Sequence, residues 1–117
     1  LTSRNRRMTL TFAFNYGGRA ELVDAVQAIA SEARARKLDP SKVSEKTIRK
    51  HLYAPDMPDP DLLVRTSGEY RISNYLLWQL AYTELVFVET LWPDFGEREL
   101  REALAQYASR RRRFGGR

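Results

Sequence analysis

The ten residues Arg65-Thr66-Ser67-Gly68-Glu69-Tyr70-Arg71-Ile72-Ser73-Asn74 carry the strongest local signal of chemistry in this chain, a set of groups able to grip an anion. Arginine's planar fork matches phosphate oxygens in two-point contact, and Arg65 and Arg71 flank the turn. Thr66, Ser67 and Ser73 add hydroxyl donors, and Gly68 lets the backbone approach a ligand closely. The run begins where a short apolar stretch ends and leads into a helical pattern. In open α/β sheets, ligands bind beyond the carboxyl ends of the strands. A helix start adds unpaired N–H groups and about half a positive charge. A diphosphate is the anion that such a set suits. The same residues have an ordinary structural explanation: Ser73 caps a helix, Gly68 turns the chain, and the arginines pair with Glu69 and other carboxylates. Pattern by itself leaves the two explanations equally open.

Elements on either side must position this run. Residues 8–15 (MTLTFAFN) alternate polar and apolar, with Leu10, Phe12 and Phe14 on one face, which predicts a strand. Tyr16-Gly17-Gly18-Arg19 breaks it, and a helix is expected over 20–37. There Leu22, Val23, Val26, Ile29, Ala30 and Ala33 recur at helical spacing, predicting one buried face. Asp39-Pro40-Ser41 stops the pattern, and Ser44 can cap a second helix that turns Ile48 and Leu52 to the core. Residues 54–60 form a rigid acidic connector. Residues 61–65 (DLLVR) read as a buried strand, 66–69 as a turn and 73–83 as a helix. Residues 85–88 suit either a last short strand or an extension of that helix. After a loop at 92–96, a final helix is expected over 97–112, with Leu100, Leu104 and Tyr107 on one face. Alternating strands and helices predict an α/β layer fold with parallel strands. So few strands would leave open edges and faces, so the sequence is expected to need partner strands that it does not encode.

Composition narrows the partners. The 117 residues suit one domain, and 43% hydrophobic with 30% charged residues fits a globular chain rather than a disordered one. Without cysteine there is no disulfide framework and no thiolate zinc site, and a reducing, cytoplasmic setting is expected. No apolar run approaches the roughly 20 residues that span a bilayer. Leu1 rather than Met at the start is what a fragment or a trimmed chain would be expected to show. The net charge of +5 gathers at the ends, in Arg4, Arg6 and Arg7 and in Arg110, Arg111, Arg112, Arg113 and Arg117. Such ends suit a nucleic acid, an anionic membrane surface or a phosphorylated ligand, and equally a solvated tail. Asp56, Asp59 and Asp61 do not make an aspartate-rich metal motif, because Pro58 and Pro60 forbid the regular helix it needs. His51 is expected to be exposed and is given no role.

The run RTSGEYRISNYLLWQLAYTE and the LWPDF at 91–95 closely resemble the hallmark segment of undecaprenyl diphosphate synthases and their relatives, the cis-prenyltransferases. FNYGGR at 14–19 and RRFGG at 112–116 agree in order and spacing, so the resemblance spans nearly the whole chain. It implies that residues 1–117 are the C-terminal portion of a Rossmann-like α/β domain, with a central, mainly parallel sheet flanked by helices. The implied activity joins isopentenyl diphosphate to an allylic diphosphate primer, giving a cis-polyprenyl diphosphate of the kind used as a cell-wall lipid carrier. Arg65, Arg71, Ile72 and Ser73 would hold the diphosphate of isopentenyl diphosphate. Glu84, in AYTE, would help hold Mg²⁺. Arg113 and Gly115 would reach the same diphosphate across a homodimer interface, to which Trp78, Tyr82, Leu85 and Phe87 would contribute. Asn15 and Arg19 sit in a turn read as structural.

The family's DGNGRWA-like loop, which carries a Mg²⁺-binding aspartate and holds the allylic diphosphate, has no counterpart here. The chain is therefore expected to carry the isopentenyl diphosphate half of the site, to belong to a longer enzyme and to be inactive alone. No catalytic residue is assigned within it. Two other readings compete. A non-catalytic partner subunit need not keep Arg65, Arg71, Ser73 and Glu84. A small basic nucleic-acid-binding module would interleave aromatic and basic residues on strands, which this sequence does not. No nucleic-acid partner is expected.

Overall fold

The computed structural model describes residues 4–110; Arg113 and Gly115, like the other residues of the arginine-rich end beyond Arg110, lie outside the described residues. At the centre two strands, β1 (Leu62–Arg65) and β2 (Glu84–Phe87), pair in parallel, Leu62 opposite Glu84 and Arg65 opposite Phe87. The ladder extends beyond both ends: Glu84 N–H donates to the Asp61 carbonyl at 3.1 Å, and Val88 N–H to that of Arg65 at 2.8 Å. Val86, 1% exposed, is the buried residue of β2. Residues 85–88, open between strand and helix in the sequence, thus belong with a strand. Their β-branched and aromatic side chains suit a pleated, half-buried surface.

Helix α1 (Gly18–Arg34) packs against α2 (Glu45–Lys50), with Ala25 and Leu52 buried, while α3 (Glu97–Ser109) packs on β2 through the fully buried Ala103. Parallel strands with helices packed around them give the expected α/β class. Local chemistry sets the helix ends. Ser44 starts α2, where its N–H donates to Thr47 Oγ1 at 3.1 Å. At the start of α3, Glu99 reaches back to accept from Gly96 N–H at 3.0 Å, one half of a capping box. Helix α1 stops at a Schellman turn: Lys37 N–H donates to the Glu32 carbonyl at 2.9 Å, and Arg36 takes the left-handed φ of 57°.

Four expectations are corrected. Residues 8–15 form no strand, because no neighbouring strand among the described residues pairs with them; Leu10, Phe12 and Phe14 are exposed. Residues 73–83 form consecutive turns rather than a helix. Ser73, Asn74 and Leu76 have φ of 49°, 62° and 44°, which a right-handed helix cannot contain. The helical spacing there records burial instead, since Leu76, Gln79 and Leu80 do face the interior. The face that α1 buries carries Gly18, Glu21 and Ala25, whereas Val23 and Val26 of the apolar stripe are exposed. His51 is not exposed: its side chain retains 15% of its accessible surface and contacts both Thr47 and Glu32.

Candidate functional site

The carboxyl end of β1 delivers Arg65 into a tightly folded loop. Ser67 N–H donates to the Thr90 carbonyl at 2.9 Å and Gly68 N–H to that of Val88 at 3.0 Å, so the loop is stitched to the chain leaving β2. Tyr70 lies over Phe87, ring centres 5.2 Å apart, and its hydroxyl donates to Glu89 at 2.6 Å. That hydrogen bond holds the Tyr70 phenol above its ordinary pKa. At Gly68, φ is +63°, so the backbone calls for glycine, and the Glu89 carboxylate lies over the space that a Cβ would fill. Ser67, Ser73, Asn74 and Leu76 also have positive φ. Left-handed non-glycine residues cost free energy and gather where function over-determines the backbone.

Within this loop Arg65 and Ser73 come together, Arg65 Nη2 donating to Ser73 Oγ at 3.3 Å. Arg65 Nε is buried and finds no partner among the described residues. A guanidinium anchored through one nitrogen, with a second N–H unsatisfied, has donor capacity left for an anion. Arg71 points elsewhere: its guanidinium pairs with Glu69 and remains 68% exposed. An exposed pair of this kind contributes little, about 0–1 kcal/mol, so Arg71 is easily re-aimed. Ile72 is half-buried between them.

Glu84 stands apart from this group. It opens β2 beside Leu62, whereas Arg65 lies three residues further along the paired strand, about 10 Å away at strand spacing. There it accepts from Arg110 Nη1 at 2.9 Å, and the same arginine nitrogen donates to the Leu85 carbonyl at 2.8 Å. A carboxylate suits a hard cation such as Mg²⁺, but octahedral coordination needs several oxygens. Among the described residues no group of three His, Cys, Asp or Glu side chains is placed to supply them. Of the residues assigned to an interface, Tyr82 is 69% exposed, while Trp78, Leu85 and Phe87 are half-buried.

Pattern reasoning missed a second polar cluster. Glu21, 2% exposed, accepts from Tyr16 Oη at 2.5 Å, Tyr53 N–H at 3.0 Å and Gln79 Nε2 at 3.2 Å. Burial and then the bond to Glu21 push the Tyr16 phenol well above its usual range. This cluster lies on a cleft of about 830 Å³ bounded by residues 9–16, 53–60 and 75–79. Arg65, Arg71 and Ser73 do not line it, so this cleft and the Arg65–Ser73 pair are separate. The paired glycines of NYGGR were the available signal that something packs closely at the start of α1.

Comparison with known proteins bears on these groups together. Residues 1–115 match the family described as "Putative undecaprenyl diphosphate synthase". Isoprenyl transferase 1 of Streptomyces coelicolor is 63% identical over 115 residues, covering 98% of this chain and 42% of that protein. Decaprenyl diphosphate synthase of Mycobacterium leprae is 51% identical, covering 98% of this chain and 39% of that protein. Among solved structures, lavandulyl diphosphate synthase from Lavandula x intermedia, in complex with dimethylallyl diphosphate, superposes with a TM-score of 0.83. It is 45% identical, over 86% of this chain and 44% of that one. The chain therefore spans about 40% of the length of the curated relatives it matches.

Proposed function

The chain belongs to the undecaprenyl diphosphate synthase family of cis-prenyltransferases, and on that premise we propose that it supplies the isopentenyl diphosphate half of an active site. The reaction is the condensation of isopentenyl diphosphate with an allylic diphosphate to give a longer cis-prenyl diphosphate. One observation carries the reading: at the carboxyl end of a parallel strand, Arg65 bonds Ser73 while keeping a buried N–H without a partner among the described residues. Oxygens of a diphosphate would satisfy that donor and accept from the Ser73 hydroxyl. Arg71, released from Glu69, would add a second cation from the opposite flank of the turn, with Ile72 fixing the spacing.

In the condensation, the allylic C–O bond breaks and its electrons leave with the diphosphate. The double bond of isopentenyl diphosphate then attacks the allylic carbon, and a proton is lost as the new double bond forms. The residues of this chain bind and orient the nucleophilic partner; none of them is assigned the proton. Orientation of this kind lowers a barrier by roughly 7–11 kcal/mol at its upper limit. Mg²⁺ belongs to the same proposal as a cofactor of the complete enzyme. Glu84, at the far end of the paired strands from Arg65, would give it one carboxylate. The other ligands would come from beyond the described residues, and the ion would supply charge neutralisation to a diphosphate. A homodimer joined through Trp78, Tyr82, Leu85 and Phe87, with Arg113 and Gly115 crossing to the partner's diphosphate, completes it. No helix among the described residues is long and apolar enough to cross a membrane; contact with a membrane surface through the basic ends is part of the proposal.

We propose further that these residues are one portion of a larger catalytic domain and do not turn over alone. The test uses the full-length enzyme carrying this sequence. Arg65→Ala and Arg71→Ala should each raise KM for isopentenyl diphosphate about 10- to 100-fold, since a hydrogen bond to a charged group contributes about 1.5–3 kcal/mol. The KM for the allylic primer should stay near that of the parent. Unchanged KM for isopentenyl diphosphate in both variants, with the fold intact by circular dichroism, would remove this loop from the site.

A further inference from the structure

Asn74 occupies the junction between the anion-binding pair and the longest helix of the fold. Its backbone carbonyl accepts from Gly18 N–H at 2.7 Å, and its side-chain Oδ1 accepts from Arg19 N–H at 2.8 Å. A helix leaves its first four N–H groups without internal partners. Gly17, the residue before α1, has no side chain to cap them, so a residue more than fifty positions away does so instead. The docking is close. A Cβ on Gly18 would sit 2.8 Å from Leu77 Cγ and 3.1 Å from the Asn74 carbonyl oxygen, and one on Gly17 would sit 3.1 Å from Asn74 Nδ2. Gly18 is therefore needed for α1 to seat against this turn, and Gly17 leaves room for the Asn74 amide beside it.

The turn that α1 seats against is the one that presents Ser73. Ser73 and Asn74 both hold left-handed backbone, at φ 49° and 62°. Asparagine tolerates that region, and most other side chains resist it. Two hydrogen bonds to a rigid seventeen-residue helix supply the constraint that keeps the pair there. Ser73 Oγ, one residue from that anchor, is where Arg65 Nη2 donates.

We propose that Asn74 is a positioning residue for the diphosphate site: by capping α1 it locks the Ser73 backbone left-handed and so sets where the Ser73 hydroxyl and the Arg65 guanidinium meet. The inference rests on reading Arg65 and Ser73 as the diphosphate-binding pair. Asn74 itself touches no substrate. Its work is done through the neighbouring residue, with the amino end of α1 as a fixed stop. The two glycines of NYGGR belong to the same device, because they bring that stop within reach.

The test measures the dissociation constant of isopentenyl diphosphate, kcat and KM separately, and the thermal midpoint, in the full-length enzyme. Asn74→Val removes the side-chain acceptor and strains the backbone, and should weaken isopentenyl diphosphate about tenfold, equivalent to about 1.4 kcal/mol. Ser73→Ala should weaken it by a similar factor. Asn74→Asp, which keeps an acceptor at the same reach, should recover most of the affinity, whereas a purely structural role would lower the thermal midpoint without separating isopentenyl diphosphate from the allylic primer. Should Asn74→Val fail to fold, Asn74→Gly, which keeps the backbone conformation and deletes only the side-chain acceptor, carries the same expectation at a smaller factor. If Arg65→Ala and Ser73→Ala weaken binding but neither Asn74 variant does, the positioning role is overturned and the diphosphate site stands. If Arg65→Ala and Ser73→Ala leave binding unchanged, both fall.

Discussion

Glu21 shows what a single buried charge demands of its neighbours. Its carboxylate sits in the first turn of α1, where the helix dipole favours negative charge, and it faces three donors and no cation. Charged acceptors make stronger hydrogen bonds than neutral ones, so three donors suffice to hold it. Replacing it by glutamine turns one oxygen into an N–H₂ that meets another donor. Glu21→Gln should therefore cost about 1–3 kcal/mol in urea unfolding, the penalty of leaving buried donors without acceptors. At Arg65 a buried donor, Nε, is left over among the described residues. The Glu21 carboxylate is met from within the fold, yet Gln79 Oε1 beside it, like Arg65 Nε, is buried with no hydrogen-bond partner among the described residues. What sets Arg65 apart is its place at the carboxyl end of β1.

Between elements, the contact of α1 with α2 has a pH dependence built in. His51 closes α2 with Nδ1 on the Thr47 carbonyl at 2.8 Å and Nε2 on Glu32 of α1 at 3.2 Å. The Thr47 carbonyl first, and the Glu32 carboxylate second, raise the imidazole above its usual value. A folded pKa above the unfolded one gives a contribution fully present below the unfolded value of about 6.5 and lost as pH rises through the raised folded value. Stability measured by urea unfolding should thus fall as pH is taken upward through that interval, and His51→Gln should flatten the fall. An unaltered slope in that variant would show that His51 does not couple the helices.

At the scale of the molecule, surface is the conspicuous quantity. The accessible area is 10175 Å², whereas a compact protein of this mass exposes about 6,600 Å². The radius of gyration, 17.6 Å, exceeds the about 13 Å of a compact domain of this length. The two-stranded sheet and the exposed Phe12 and Phe14 account for part of that surface. An incompletely covered α/β layer supports the proposal that these residues work as one portion of a larger domain. Residues 1–117 expressed alone should accordingly form no prenyl product from isopentenyl diphosphate, an allylic primer and Mg²⁺. Turnover by that chain would overturn the proposal.

The sequence by itself determined the α/β class, the extents of β1 and of the flanking helices to within a few residues, and the segment in which Arg65 and Ser73 meet. Those features follow from local patterns: apolar runs, capping residues, and side-chain types suited to an anion. Only the tertiary structure decided the rest. Residues 73–83 carry a helix's spacing, yet docking of α1 on Asn74 holds three residues of that stretch left-handed. Residues 8–15 carry a strand's alternation, but a strand exists only where a neighbour pairs with it. Glu84 and Arg65 lie on paired strands in a register that sets them at opposite ends, which no spacing along the chain could reveal. Periodicity reports which side chains turn inward, and the backbone conformation that achieves it is settled by contacts between residues distant in sequence.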